Sequence, residues 1–385
     1  MGMTWREVCG RRLTRHGLVE PVATGDLVER IATICGAHAQ VMSAAELSIG
    51  LRVAGVTRAD VRAALWDERT LVKTYGPRGT VHLLPSRDLP MWTGALAAVA
   101  APSSGLPPDA RLTPEQTDAV VEAIAEALSD AELTIDELGE AVVRMAGPWA
   151  GDLVMPAFAV MWPRWRQAVH VAAQRGVLCF GPNRGSNVTY TSPRRWLPGF
   201  EPMDPGSAIA ELVRRYLYAY GPATPWQFGR WLGISSIRSA TALFEELSGD
   251  LDRTTVGDAE AWVAAGDTVA GDGDGVAGGV RLLPYFDAYV VGCHPREMVF
   301  PGEAAARALH RGQAGTVPVL LVDGVVAGVW HQRRTGRNLT IVVEPFGRLS
   351  AAQRRALGGE VERIGAILEG SVSLTIGPVT AGKHA

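Results

Sequence analysis

Residues 26–51 read DLVERIATICGAHAQVMSAAELSIGL. Leu27, Ile31 and Ile34 recur at helical spacing, which predicts a helix over residues 26–37. The compact break Gly36-Ala37-His38-Ala39-Gln40 follows. A second helix is predicted over residues 43–51, with Ser43 as N-cap and Glu46 three positions on as the other half of a capping box. The break sets two polar side chains, His38 and Gln40, either side of a small apolar residue. In an extended segment, side chains two apart point to the same side. Taken alone, the pair reads first as the cap of a helix–helix turn and only second as a polar site.

Working outward, a third helix is predicted over residues 57–66, opening with Thr57 and carrying Asp60 at the capping-box position. Residues 71–75 and 80–84 then flank the turn Gly76-Pro77-Arg78-Gly79 as a β-hairpin. Three helices followed by a hairpin is the winged-helix plan. The plan recurs. After an Ala/Pro/Ser/Gly-rich linker over residues 100–108, an amphipathic helix (Val120, Val121, Ile124, Leu128) is predicted over 113–128. A second, opened by Thr134 and Glu137, spans 134–145, and a third helical stretch reaches Arg175. A second hairpin pairs residues 177–180 with 188–191 about Pro182-Asn183-Arg184-Gly185. Helices over 207–220, 224–232 and 235–247 begin a third unit, with a fainter wing from 250–256 and a Gly/Asp tract over 271–279.

From Arg281 onward the pattern changes to short apolar strands over 282–285, 288–291, 317–322, 325–330, 339–343 and 372–376, with a helix over 350–368. This reads as a small β-barrel or sandwich with a helical cap. The expected fold class is therefore α+β: three tandem winged-helix units (residues 1–102, 103–205 and 206–280) and a β-barrel-like domain (281–385).

Composition narrows the function classes. The chain has 385 residues, 47% hydrophobic and 20% charged, as an ordered globular protein does. It contains no apolar run of 18 residues and no basic-then-apolar leader, which argues against a membrane protein or an exported one. Cys9, Cys35, Cys179 and Cys293 form no C-x-x-C pair, which favours reduced thiols in a cytosolic protein. The eight histidines form no metal-binding spacing, so no metal is expected. Asp272-Gly273-Asp274 begins like a calcium loop, but Val276 and Leu283 occupy the fifth and twelfth positions, where ligands are required. No phosphate-binding P-loop or G-x-S-x-G elbow occurs.

Net charge is −3, yet only Lys73 and Lys383 of the 37 basic residues are lysines, leaving 35 arginines. Their placement is uneven. Between Leu153 and Phe200 there is no Asp or Glu, while Arg164, Arg166, Arg175, Arg184, Arg194 and Arg195 alternate with tryptophans and tyrosine. This reads either as a solvated face over packed aromatics or as a surface for a polyanion. Arg333, Arg334 and Arg337 mark a second basic turn between two strands. Arg58, Arg62 and Arg69 fall on one predicted helix face, but Leu65, Asp60, Asp67 and Glu68 dilute it, so it is not a clean base-reading helix.

The whole chain resembles the AlkZ-like bacterial DNA glycosylases. The matching features are His38-Ala39-Gln40, Arg78-Gly79-Thr80-Val81-His82-Leu83, Leu282-Leu283-Pro284-Tyr285-Phe286-Asp287, and the run from Val322-Asp323-Gly324 to Trp330. The resemblance implies tandem winged-helix units forming a C-shaped basic cleft closed by a β-barrel. It implies hydrolysis of the N-glycosidic bond of bulky N7-alkylguanines, with catalytic residues in a Gln-Φ-Gln or Gln-Φ-Asp motif, where Φ is apolar. This sequence departs from that motif with His-Φ-Gln, and so resembles a subgroup associated with self-resistance in producers of DNA-alkylating antibiotics.

On that basis His38 and Gln40 are the expected catalytic pair. The expected DNA-binding residues are Arg78, His82, Arg164, Arg166, Arg184, Arg194, Arg195, Arg333, Arg334 and Arg337. No Lys lies beside the motif, which favours water over a Schiff base and hence a monofunctional enzyme without a cofactor. The expected partner is double-stranded DNA carrying alkylated guanine, met by a monomer in a bacterial cytoplasm. The rival readings are a non-catalytic winged-helix regulator and a drug-sequestering protein.

Overall fold

A computed structural model describes residues 2–99, 105–157, 160–267 and 279–380. These divide into two compact units. One comprises Met1–Ala64, Val213–Leu232 and Ser236–Ala385, and the other Leu65–Leu212 with Gly233–Ser235. Residues 100–104 of the expected linker and all but Gly279 of the Gly/Asp tract lie outside the described residues.

The first unit opens with strand Gly2–Met3 and helix Trp5–Arg15, which starts in a full capping box between Thr4 and Glu7. Gly2 and Met3 pair in parallel with Thr255 and Val256 of the hairpin Leu251–Val256/Ala259–Ala264, so the chain's first strand extends the third wing. Helices Pro205–Tyr220, Pro225–Leu232 and Ile237–Glu246 precede that hairpin, as the sequence predicts.

The C-terminal part is a five-stranded sheet in the order Val280–Leu283, Val319–Val322, Val325–Thr335, Asn338–Pro345, Ser371–Ile376. Its strands pair antiparallel except the last, which runs parallel to its neighbour after the crossover helix Ala351–Ile367. That helix buries Leu357, Val361 and Ile364 and begins in a Ser350/Gln353 capping box.

In the second unit, the expected hairpin forms as Leu71–Tyr75/Val81–Pro85, with Tyr75 opposite Val81. Helices Pro114–Leu128 and Ile135–Ala146 are capped by Thr113 with Gln116 and by Thr134 with Glu137. Val120, Ile124, Leu138, Val142 and Trp165 share their core. The second wing is the hairpin Cys179–Arg184/Asn187–Thr191, extended by Leu133–Thr134.

Three local expectations are corrected. Ala288–Gly292 is a helix rather than a strand, because the Asp287 carboxylate accepts the Tyr289 N–H and caps it. Ser43 caps nothing. The helix runs Met42–Gly50 from Val41, and Glu46 is fully buried, where it accepts from Arg62 Nε at 2.5 Å. Residues 153–163 form the unexpected hairpin Leu153–Ala157/Val160–Pro163, whose apolar run carries no Gly, Asn or Asp to mark a turn.

Candidate active site

The first helix of the opening pair is shorter than its periodicity suggests. Leu27–Thr33 ends in a Schellman turn: Gly36 N–H donates to Ile31 O and Cys35 N–H to Ala32 O. Cys35 and Gly36 both take positive φ, 59° and 94°. A non-glycine residue there costs about 1 kcal/mol. The Tyr220 hydroxyl meets part of that cost by donating to the Ile34 carbonyl at 2.8 Å, from a fully buried position. The chain leaves this turn as the two-residue strand Ala37–His38 and re-enters a helix at Met42.

The second helix is pinned from behind. Gly50 approaches Ile367 so closely that a Cβ would sit 2.5 Å from its Cγ2. Arg363 donates to the Gly50 and Leu51 carbonyls, satisfying acceptors that a helix end leaves open. The turn between the helices therefore has both ends held.

Within it, Ala37 and Ala39 are buried, His38 is 9% exposed, and Gln40 is exposed in a bend. His38 and Gln40 thus differ in environment, one ring nearly buried and one amide in solvent. The His38 ring lies against Phe286, with centroids 4.8 Å apart and planes 18° from parallel. Such aromatic contacts contribute about 0.5–1.5 kcal/mol beyond burial.

Phe286 is set by its own surroundings. It has φ 55°, and its N–H donates to Gly315 O at 2.9 Å. Its neighbour Asp287 is 1% exposed and accepts from Arg52 Nη1 (2.8 Å) and Nη2 (2.7 Å), from Ser48 Oγ (2.7 Å) and from Tyr289 N. Arg52 and Ser48 belong to the stretch that directly follows His38 and Gln40. Neither Arg52 nor Ser48 carried a local sequence signal for this contact, since both lie more than 200 positions from Asp287.

Behind the turn lies a dense basic core. His16 is fully buried with its ring edge-on to Tyr220 and Tyr289, at 5.0 and 5.5 Å. Burial and the charges of Arg52, Arg30 and Arg12 hold its pKa well below the usual histidine value. Arg11 and Arg15 converge on Asp267, whose carboxyl they lower against the opposing effect of burial.

The expected DNA contacts fall in varied surroundings. On the strand pair Val325–Thr335/Asn338–Pro345, Arg333 and Arg337 are exposed at the turn, while Arg334 donates to Gly336 O and Leu368 O. Arg78 sits half-buried at φ 58° in the first wing turn. His82 is 5% exposed, with Nδ1 engaged at Thr80 O and the ring against Gly76.

The acid-free stretch turns out to have carboxylate partners from outside it. Arg164 pairs with Asp152 (3.6 Å), Arg175 with Asp118 (2.7 Å), Arg184 with Glu137 (2.5 Å) and Arg194 with Glu201 (2.9 Å). Arg184 and the Thr134 backbone hold the Glu137 carboxyl down to about 2. Arg166 stacks over Trp162 at 3.7 Å, and Arg195 donates to Thr191 Oγ1 at 2.7 Å. Among the described residues, no three His, Cys, Asp or Glu side chains are grouped to hold a metal ion. Among them, too, no helix is long and apolar enough to cross a membrane.

The chain matches the family described as DNA glycosylase AlkZ-like over residues 31–367, a span that contains the His38–Gln40 turn, Arg52 and Phe286. It is 33% identical over 347 residues to an interstrand DNA cross-link repair glycosylase of Streptomyces sahachiroi, covering 86% of this chain and 88% of that one. Its fold matches the solved structure of Streptomyces sahachiroi DNA glycosylase AlkZ with a TM-score of 0.81 at 29% identity, over 98% of this chain and 100% of the other. Fold and matches together define a DNA glycosylase, a hydrolase of N-glycosyl bonds whose partner is DNA. The chain belongs to the AlkZ-like DNA glycosylase family.

Proposed function

We propose that this glycosylase releases bulky N7-alkylguanines from duplex DNA, with His38 and Gln40 handling the attacking water. The observation that carries this reading is the turn itself. It holds a nearly buried imidazole on a flat aromatic support, with an exposed amide two residues on.

The chemistry suits so small a constellation. Alkylation at N7 makes the base cationic, so the C1′–N9 electron pair departs with the base and neutralises it without a general acid. Water supplies the new C1′–O bond and gives up a proton. His38 can accept that proton or hold the water through a ring nitrogen. The Gln40 amide can orient the same water by donating and accepting hydrogen bonds. Positioning supplies much of the rate once the leaving group is activated. The products are a free N7-alkylguanine and an abasic site.

Arg333 and Arg337, exposed at their turn, are proposed to meet phosphates beside the lesion. The relative's name, an interstrand cross-link repair glycosylase, supports a cross-linked adduct as substrate and a role in repair. Self-resistance to an alkylating antibiotic belongs to the same proposal and rests on the His-Φ-Gln motif alone. The reading also takes the enzyme to be a cytoplasmic monomer on one duplex.

Duplex carrying a single N7-alkylguanine, incubated with the protein and then heated in alkali, tests the reaction. Protein-dependent strand breaks at the adduct are expected. Retention of the adduct on a bound but uncleaved strand would instead indicate a regulator or a sequestering protein.

A further inference from the structure

We infer that Phe286 is a positioning residue for His38: its ring fixes the plane in which the imidazole presents its nitrogens to the water. This rests on the reading of His38 as a water-handling residue. Three features hold that plane.

The two rings are close to parallel at 4.8 Å, so rotation of the imidazole about its Cβ–Cγ bond would drive it into the phenyl face. Phe286 is half-buried as a whole, and its ring is backed on one edge by Gly315. A Cβ on Gly315, at φ 101°, would already lie 3.1 Å from both the Cα and Cδ1 of Phe286. Lastly, Asp287 ties the Phe286 backbone to Ser48 and Arg52, which follow the His38 turn by ten to fourteen positions. Both members of the ring stack therefore hang from one buried link. A displacement between the segments carrying them would have to break a bidentate charge pair buried away from water.

An aromatic face is suited to this task in a way a polar group is not. It constrains orientation without competing for the hydrogen-bonding capacity of the imidazole nitrogens. Hydrogen-bonding partners that orient metal-ligating imidazoles change activity by about 10- to 100-fold when removed, and a loss toward the lower end is expected for this aromatic support.

The test is a double-mutant cycle in the full-length protein, read as single-turnover release of base from an N7-methylguanine duplex. Phe286→Leu keeps apolar volume but loses the flat face, and is expected to slow release by about 10-fold or more. Phe286→Tyr keeps the face and should stay within about threefold of wild type. Affinity for uncleaved duplex should be the same in all three. In a His38→Ala background, Phe286→Leu should change the residual rate by less than about twofold, since the ring it positions is gone.

An equal loss from Phe286→Leu in both backgrounds would overturn the inference, because Phe286 would then act on the fold or the DNA directly. A wild-type rate for Phe286→Leu, with His38→Ala severely slowed, would overturn it while leaving the role of His38 intact. A wild-type rate for His38→Ala would remove the reading of the turn itself, and the inference with it.

Discussion

Arg52 and Asp287, 235 positions apart, form a bidentate ion pair whose two side chains are both 0% exposed. The pair joins the helix after the His38 turn to the segment that carries Phe286. Breaking such a pair is costly because the survivor is a buried, uncompensated charge. Asp287→Ala is expected to destabilise the chain by about 3–5 kcal/mol, read from the urea transition of this unit. The joint replacement of Arg52 and Asp287 by leucine should recover part of that loss. A shift of under about 1 kcal/mol for Asp287→Ala would show that the link is not structural.

The approach of Gly50 to Ile367 makes a second prediction. Gly50→Val places methyl groups where the Ile367 side chain already lies, at 2.5 Å from the Cβ position. Overpacking of this kind costs about 1–3 kcal/mol. Adding Ile367→Ala opens the space, so the double variant should be less destabilised than the two single losses summed. Strict additivity in thermal unfolding would contradict the close approach.

His16 predicts a pH dependence. Its folded pKa is lowered by burial and by Arg52, Arg30 and Arg12. As pH falls, the unfolded chain therefore binds a proton at this residue first. The contribution of His16 is neutral above the ordinary histidine pKa of about 6.5 and increasingly unfavourable to the fold below it. The slope approaches about 1.4 kcal/mol per pH unit. His16→Phe should flatten the stability profile between about pH 6.5 and 5 relative to wild type. Parallel profiles for the two proteins would contradict the assignment.

The exposed turn arginines make a prediction that separates charge from fold. Replacing Arg333 and Arg337 with alanine should weaken binding to any duplex. It should also lower the slope of log affinity against log salt by up to about 2, near 0.9 for each phosphate no longer neutralised. Stability should hardly change, since both side chains are exposed. An unchanged salt slope would remove the turn from the DNA interface.

Much of the fold was legible because it rests on local chemistry. Thr134 with Glu137 forms the capping box its spacing announces, and the first hairpin follows its alternation and turn residues. Where a local signal competes with a distant partner, the distant partner wins. Ser43 and Glu46 look like a capping box, but Glu46 is buried and accepts from Arg62 instead. Ala288-Tyr289-Val290-Val291 reads as a strand, but the buried Asp287 that caps it as a helix is held by Arg52. The run without acids between Leu153 and Phe200 looked bare only because Asp118, Glu137, Asp152 and Glu201 stand outside it in sequence and against it in space. Of the candidate site, His38 and Gln40 were reachable only through the family resemblance. Phe286, Asp287, Arg52 and Ser48 could not be joined to them, because no periodicity links residues so far apart.

The central claim is that the imidazole and the amide of one turn handle the water. Single-turnover release of base from an N7-alkylguanine duplex, measured for His38→Ala, Gln40→Ala and the double variant at matched folding and DNA affinity, tests it most directly. Each single variant should be slowed by about 10²-fold or more, in the range of general acid–base and positioning effects. The double variant should fall short of the product of the two losses, because both side chains act on one water molecule. Release at the wild-type rate by both single variants would contradict the account.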